Sequence, residues 1–122
     1  MRLILEDEAR IRLELVGEDF EIISEGGSLS PYHLLGASLA SCTALMIAPW
    51  AESAAIPIEA LTIVVSWQMT DAGHKRVAQL EMELRWPGLP SGRLGAVNRL
   101  VDLCPIPATL QQGAEISRRI VS

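Results

Sequence analysis

The sequence predicts an α+β fold, and three observations carry that prediction. Apolar residues alternate with polar ones in the first thirty residues and again in two long runs between Leu61 and Trp86. A stretch from Leu34 to Ala51 contains no charge and is long enough for five helical turns. The resulting order is strands, helix, two long strands, two helices and a closing strand. That order is not an alternation of strand and helix, which removes the dinucleotide-binding folds. No glycine-rich phosphate loop is present either.

The elements follow from local chemistry. Leu3 and Leu5 alternate with polar neighbours, Ile11, Leu13 and Leu15 alternate with Arg12 and Glu14, and Phe20 to Ile23 forms a third short apolar piece. Gly17 and Gly26-Gly27 mark turns between and after them. Ser28 or Ser30 is placed to cap a helix whose first position is Pro31, and Pro49 is expected to kink or end it. Leu61, Ile63, Val65, Trp67 and Met69 occupy every second position. After a turn at Asp71-Ala72-Gly73, Ala78, Leu80, Met82, Leu84 and Trp86 repeat the pattern. This is a long antiparallel hairpin with one buried face. Beyond Pro87 and Pro90, Ser91 is placed to cap a helix carrying Leu94, Val97 and Val101. A short helix is expected from Cys104-Pro105 to Gly113, and Ala114 to Val121 reads as a weak strand.

The charge-free stretch has the length of a membrane span. Its Gly36, Ser38, Ser41, Cys42, Thr43 and Pro49, together with several alanines, make lipid a poor solvent for it, so burial within protein is the expectation. One short chain has little material with which to surround such a helix, and a second copy would supply the missing cover.

The chain of 122 residues fits one domain, 1–122, with no internal repeat or linker. Ten Lys and Arg against fifteen Asp and Glu give a net charge of −5, which leaves no basic stripe for nucleic acid or an anionic membrane surface. Two cysteines are too few for a disulfide-stapled secreted scaffold, and the first residues lack the pattern of a signal peptide, so a cytoplasmic location is expected.

The reactive inventory is short: Cys42, Cys104, His33, His74 and the charged groups around them. Neither a nucleophile elbow nor an H-E-x-x-H helix occurs, and the two Cys and two His share no zinc-ligand spacing. Cys42 falls inside the apolar helix, where a small core residue is the plain expectation. Cys104 stands at or beside the cap of a helix, where backbone N–H groups and the helix dipole favour a thiolate. His74 reads as a solvated turn residue, Trp67 and Trp86 as packing residues, and Trp50 as a residue able to line an interface pocket.

The segments around both cysteines resemble one known family. Ser30-Pro31-Tyr32-His33-Leu34-Leu35 followed by Gly36-Ala37-Ser38-Leu39-Ala40-Ser41-Cys42-Thr43-Ala44 is similar to the long-helix signature of the OsmC/Ohr proteins. Cys104-Pro105-Ile106-Pro107-Ala108-Thr109-Leu110 resembles that family's second cysteine motif. The resemblance implies an intertwined homodimer, with antiparallel sheets around long central helices and sites at the subunit interface. It also implies a thiol peroxidase without a cofactor. In that chemistry Cys42 attacks an organic hydroperoxide or hydrogen peroxide, Cys104 condenses the resulting sulfenic acid into a disulfide, and a dithiol, lipoyl or other, restores both thiols. The two Cα atoms must then approach within about 7 Å.

Two features depart from the family pattern. Many members carry an acidic residue just after the helix-opening proline, where this chain has Tyr32 and His33. His33 is able to accept a proton near neutral pH, but it precedes Cys42 by nine residues, about 13 Å along a helix and on its opposite side. Hydroperoxide-reducing members are also expected to set an arginine beside the reactive thiol. Arg2, Arg10 and Arg12 lie in the right region, Arg10 and Arg12 being candidate supporting residues together with His33, and no motif selects among the arginines. The competing expectation is a non-peroxidatic relative that binds a small apolar ligand or a partner at the dimer interface. A zinc-binding module is a third.

Overall fold

The computed structural model describes residues 1–7, 10–15, 17–23, 30–71 and 73–122, and divides into two compact units, 1–35 and 36–122. The turn expected at Gly26-Gly27, a cap at Ser28 and the middle residue of the Asp71-Ala72-Gly73 turn lie outside the described residues.

The N-terminal unit is an antiparallel sheet of β1 (Arg2–Leu5), β2 (Arg10–Leu15) and β3 (Glu18–Ile23), in that spatial order. Leu3 pairs with Leu13 and Leu5 with Ile11, as the alternation requires. Gly17 adopts φ 82° in the tight β2–β3 connection, a conformation that suits a residue without Cβ. Leu3 and Leu5 are 54% and 71% exposed. The helix α1 (Pro31–Ser53) begins in this unit, with Ser30 before it, and continues into the second.

The larger unit packs α1 onto the hairpin of β4 (Thr62–Met69) and β5 (Val77–Arg85). Gly36, Leu39, Thr43, Ile47 and Ala51 form one buried stripe at helical spacing. Where α1 meets the hairpin, a Cβ on Gly36 would lie 3.4 Å from Val65 Cγ1 and 3.6 Å from Trp67 Cζ3. Ile63, Val65, Trp67 and Met69 are all turned inward and pair with Leu84, Met82, Leu80 and Val77. Ile47, Ala51, Ile56 and Val97 form the core cluster, with Trp50, Leu84, Trp86 and Leu89 among the side chains packed on it. Trp50 meets Trp86 edge to face at 6.4 Å, and Trp86 Nε1–H donates to the Pro57 carbonyl at 2.8 Å.

Alpha-helix α1 is long and apolar enough to cross a membrane by length and composition. Among the described residues, however, one stripe of it is buried and the flanking positions are at most half-buried. On other sides it leaves Leu34 half-exposed and Leu45 75% exposed.

Four local expectations are corrected. Pro49 does not end α1, which runs on to Ser53. The helix stops instead through a Schellman turn: the Ala55 N–H donates to the Glu52 carbonyl, the Ile56 N–H donates to the Ala51 carbonyl, and Ala55 takes φ 55°. A register shift at Gln68/Met69 pairs Met69 with Val77, so Ala78 turns outward while Val77 faces in. Ser91 does not cap α2 (Leu94–Val101). It opens a 3-10 turn, Ser91–Arg93, that leads into the helix. Finally, residues 113–122 form no strand. Ile116, Ile120 and Val121 stand exposed beyond α3 (Pro105–Gln112).

Candidate functional site

The reactive pair assembles in the larger unit. Cys42 is carried by α1, half-buried, one residue before the buried Thr43. Cys104 is delivered by the end of α2. The chain unwinds there through bonds from Asp102 N–H to the Asn98 carbonyl, Leu103 N–H to the Leu100 carbonyl and Cys104 N–H to the Val101 carbonyl. Pro105 then restricts the residue before it to extended backbone, and Cys104 sits at φ −65° and ψ 126° as the N-cap of α3. Its side chain turns inward and is 2% exposed.

The two cysteines are joined as a disulfide across 62 positions of sequence, with their Cα atoms 6.3 Å apart. This lies within the range that a bridge requires. The arrangement therefore holds one disulfide built from a residue in mid-helix and a residue at a helix start.

Thr43 was not singled out by the sequence. Fully buried, it donates from Oγ1 to Met82 Sδ at 3.5 Å, which satisfies the hydroxyl with a weak acceptor and ties α1 to β5. The signal was present in two halves, a threonine next to Cys42 and a methionine on the inward register of β5. Nothing in the sequence joined them.

His33 has a structural partner. The Ser30 backbone N–H donates to His33 Nδ1 at 3.0 Å, the Ser30 hydroxyl lies 2.9 Å from the same nitrogen, and the His33 N–H donates back to the Ser30 carbonyl at 3.0 Å. His33 thus takes the place at the third helical position that Glu or Gln fills in a capping box. Because Nδ1 accepts, the ring proton is placed on Nε2.

The candidate arginines belong to the N-terminal unit, and each has an acidic neighbour there. Arg12 Nε stands 2.7 Å from Glu6 Oε1, at ion-pair distance without hydrogen-bond alignment, and its Nη1 lies 3.9 Å from Glu14. Arg10 is 3.7 Å from Asp7, while Arg2 pairs with Glu14 at 2.6 Å. Among the described residues, no three His, Cys, Asp or Glu side chains gather as a metal site.

An α+β chain whose long helix carries one half of a disulfide, and whose following hairpin and two short helices carry the other half into place, defines a narrow class. The OsmC-like protein profile matches residues 24–118, and the chain belongs to that family. Its fold is similar to a crystal structure from Psychrobacter arcticus 273-4, provisionally named an osmotic stress induced and detoxification response protein. The TM-score is 0.74 at 22% identity, over 88% of this chain and 85% of that one. Among curated proteins, none matches this sequence.

Proposed function

We propose that this chain is a thiol-dependent peroxidase for organic hydroperoxides or hydrogen peroxide. The Cys42–Cys104 disulfide is the observation that carries the reading, because it is the oxidised product such a cycle must form. The Cys42 thiolate attacks the terminal peroxide oxygen and breaks the O–O bond, giving an alcohol or water and a Cys42 sulfenic acid. The Cys104 thiol then attacks the sulfenic sulfur and releases water as the disulfide closes. A dithiol, lipoyl or other, returns two electrons and two protons. No metal or cofactor enters this scheme.

The working unit is a homodimer in which a second copy covers the open faces of α1 and the N-terminal sheet, where Leu45, Leu3 and Leu5 stand exposed. Arg10 and Arg12 are the candidate supporting residues for steadying the thiolate. The cytoplasm, with its dithiol pool, is the compartment that suits the cycle.

Anaerobic mixing of the fully reduced protein with one equivalent of cumene hydroperoxide tests the proposal. Both thiols should be lost together, and a Cys42–Cys104 peptide pair should appear by mass spectrometry. Retention of both thiols would select the second reading, a non-peroxidatic relative that binds a small apolar molecule. The groove between β5 and α2 favours that alternative. It encloses about 400 Å³ and is lined largely by Leu84, Trp86, Leu89, Leu94, Val97 and Val101.

A further inference from the structure

The two ends of the disulfide are not equivalent. Cys104 is 2% exposed, enclosed between the end of α2 and the start of α3, whereas Cys42 is half-buried on α1. Thiol–disulfide exchange requires the attacking thiolate to reach one sulfur while the other departs, so access and leaving-group stability together select the site of attack. An enclosed sulfur offers no approach. Cys104 is enclosed within its own chain, so association with a second copy does not by itself open its sulfur.

The start of α3 also suits departure. Pro105 and Pro107 carry no N–H. The Ile106 amide is therefore the first-turn donor able to meet a thiolate at the N-cap, with the helix dipole acting in the same direction. Cys42 lies in the interior of its own helix, α1, where the backbone amides are taken up by the helix ladder.

We infer that reduction is directed: the reductant attacks Cys42 Sγ, and Cys104 leaves as the thiolate. One thiolate of an external dithiol forms a new S–S bond to Cys42. The Cys42–Cys104 bond breaks, and its electron pair stays on Cys104 Sγ, which is later protonated. The second thiol of the reductant, once deprotonated, displaces Cys42 from the mixed disulfide. The reductant ends as its own cyclic disulfide, and the protein has gained two electrons and two protons. The identity of the physiological dithiol rests on the peroxidase reading, but the direction of attack rests on the disulfide alone.

The test therefore uses no peroxide. Protein oxidised with diamide is exposed briefly to glutathione, quenched in acid, blocked with N-ethylmaleimide and mapped by mass spectrometry. Glutathione on Cys42 with maleimide on Cys104 should exceed the inverse product by about tenfold or more. Equal amounts, an excess of the inverse, or failure of diamide to form the disulfide would overturn the inference. A second measurement excludes migration of the adduct. Cys104→Ser loaded at Cys42 with thionitrobenzoate, and Cys42→Ser loaded at Cys104, are each treated with dithiothreitol. The Cys42 adduct should clear about tenfold faster. Resistance of Cys104 to loading in the folded protein agrees with the inference, whereas equal or reversed clearance rates contradict it. A protein inert to cumene hydroperoxide can still pass both measurements, so the two proposals fail separately.

Discussion

Ser30 and His33 close the first turn of α1 on each other: the Ser30 N–H reaches His33 Nδ1 at 3.0 Å while the His33 N–H reaches the Ser30 carbonyl at the same distance. The residue that stands near the family's acidic position is engaged as a cap. His33→Ala should lower unfolding free energy by about 1 kcal/mol, the usual value of a helix cap, as measured by urea denaturation. His33→Glu should retain most of the stability because a carboxylate can accept the same N–H. Ser30→Gly/His33→Ala should cost less than the two single changes added together. Strict additivity would separate His33 from the cap.

At the other end of α1, Ala55 holds φ 55° where a Schellman turn ordinarily has glycine. An L-residue with a Cβ pays about 1 kcal/mol to sit there. Ala55→Gly should therefore raise the urea midpoint, by somewhat less than that amount because glycine also gains freedom in the unfolded chain. Loss of stability would mean that Ala55 contributes packing through its methyl group.

These two helix ends show where the sequence was legible and where it was not. The inward register of β4, with Val65 and Trp67, followed from alternation alone, because a half-buried hairpin leaves that periodicity in the composition. The pairing of Cys42 with Cys104 came only through resemblance of the two motifs, since nothing local connects residues 62 apart. Of the two expectations at Pro49, a kink or an end, the end is not met, because the true stop uses alanine, which carries no turn signal. The strand expected after Ala114 has no partner in the described chain. The Ala78 bulge escaped notice because one extra residue leaves alternation intact on either side of it.

Gly36 gives a prediction of opposite sign to a simple clash argument. A Cβ there would find Val65 Cγ1 at 3.4 Å and Trp67 Cζ3 at 3.6 Å, ordinary contact distances for a methyl group. Alanine also gains about 1 kcal/mol in helix propensity over glycine. Gly36→Ala should thus be neutral or stabilising by up to about 1 kcal/mol in urea unfolding. Gly36→Leu should lose about 1–3 kcal/mol, the usual cost of an overpacked site, because the helix cannot back away from the hairpin without opening the stripe at Leu39 and Thr43.

Leu45 tests the open side of α1. At 75% exposure it contributes little within one chain, so Leu45→Glu should leave the unfolding free energy of a single subunit within about 0.5 kcal/mol. In the homodimer proposed above, the same change places a charge in an apolar interface. Sedimentation velocity should then show the wild type as a dimer and the variant shifted toward monomer. Unchanged dimerisation in the variant would move the interface away from this face of the helix.

Reduction of the disulfide should reveal how much of the fold depends on it. Closing a loop across 62 positions removes unfolded-chain entropy worth roughly 4 kcal/mol in the chain-entropy model. Neither cysteine belongs to the core cluster around the fully buried Ile47, so the reduced protein should remain folded while its urea midpoint falls. Ile47→Ala should cost about 2–5 kcal/mol in either redox state. The prediction is therefore near-additivity: the loss from reduction and the loss from Ile47→Ala should sum in the reduced variant, because one acts largely on the unfolded chain and the other on native packing. A reduced wild type that unfolds at the same urea concentration as the oxidised form would mean that the bridge adds no net stability. In that case its role would be chemical only, and the enclosure of Cys104 would have to come from the packing of the α2–α3 connection itself.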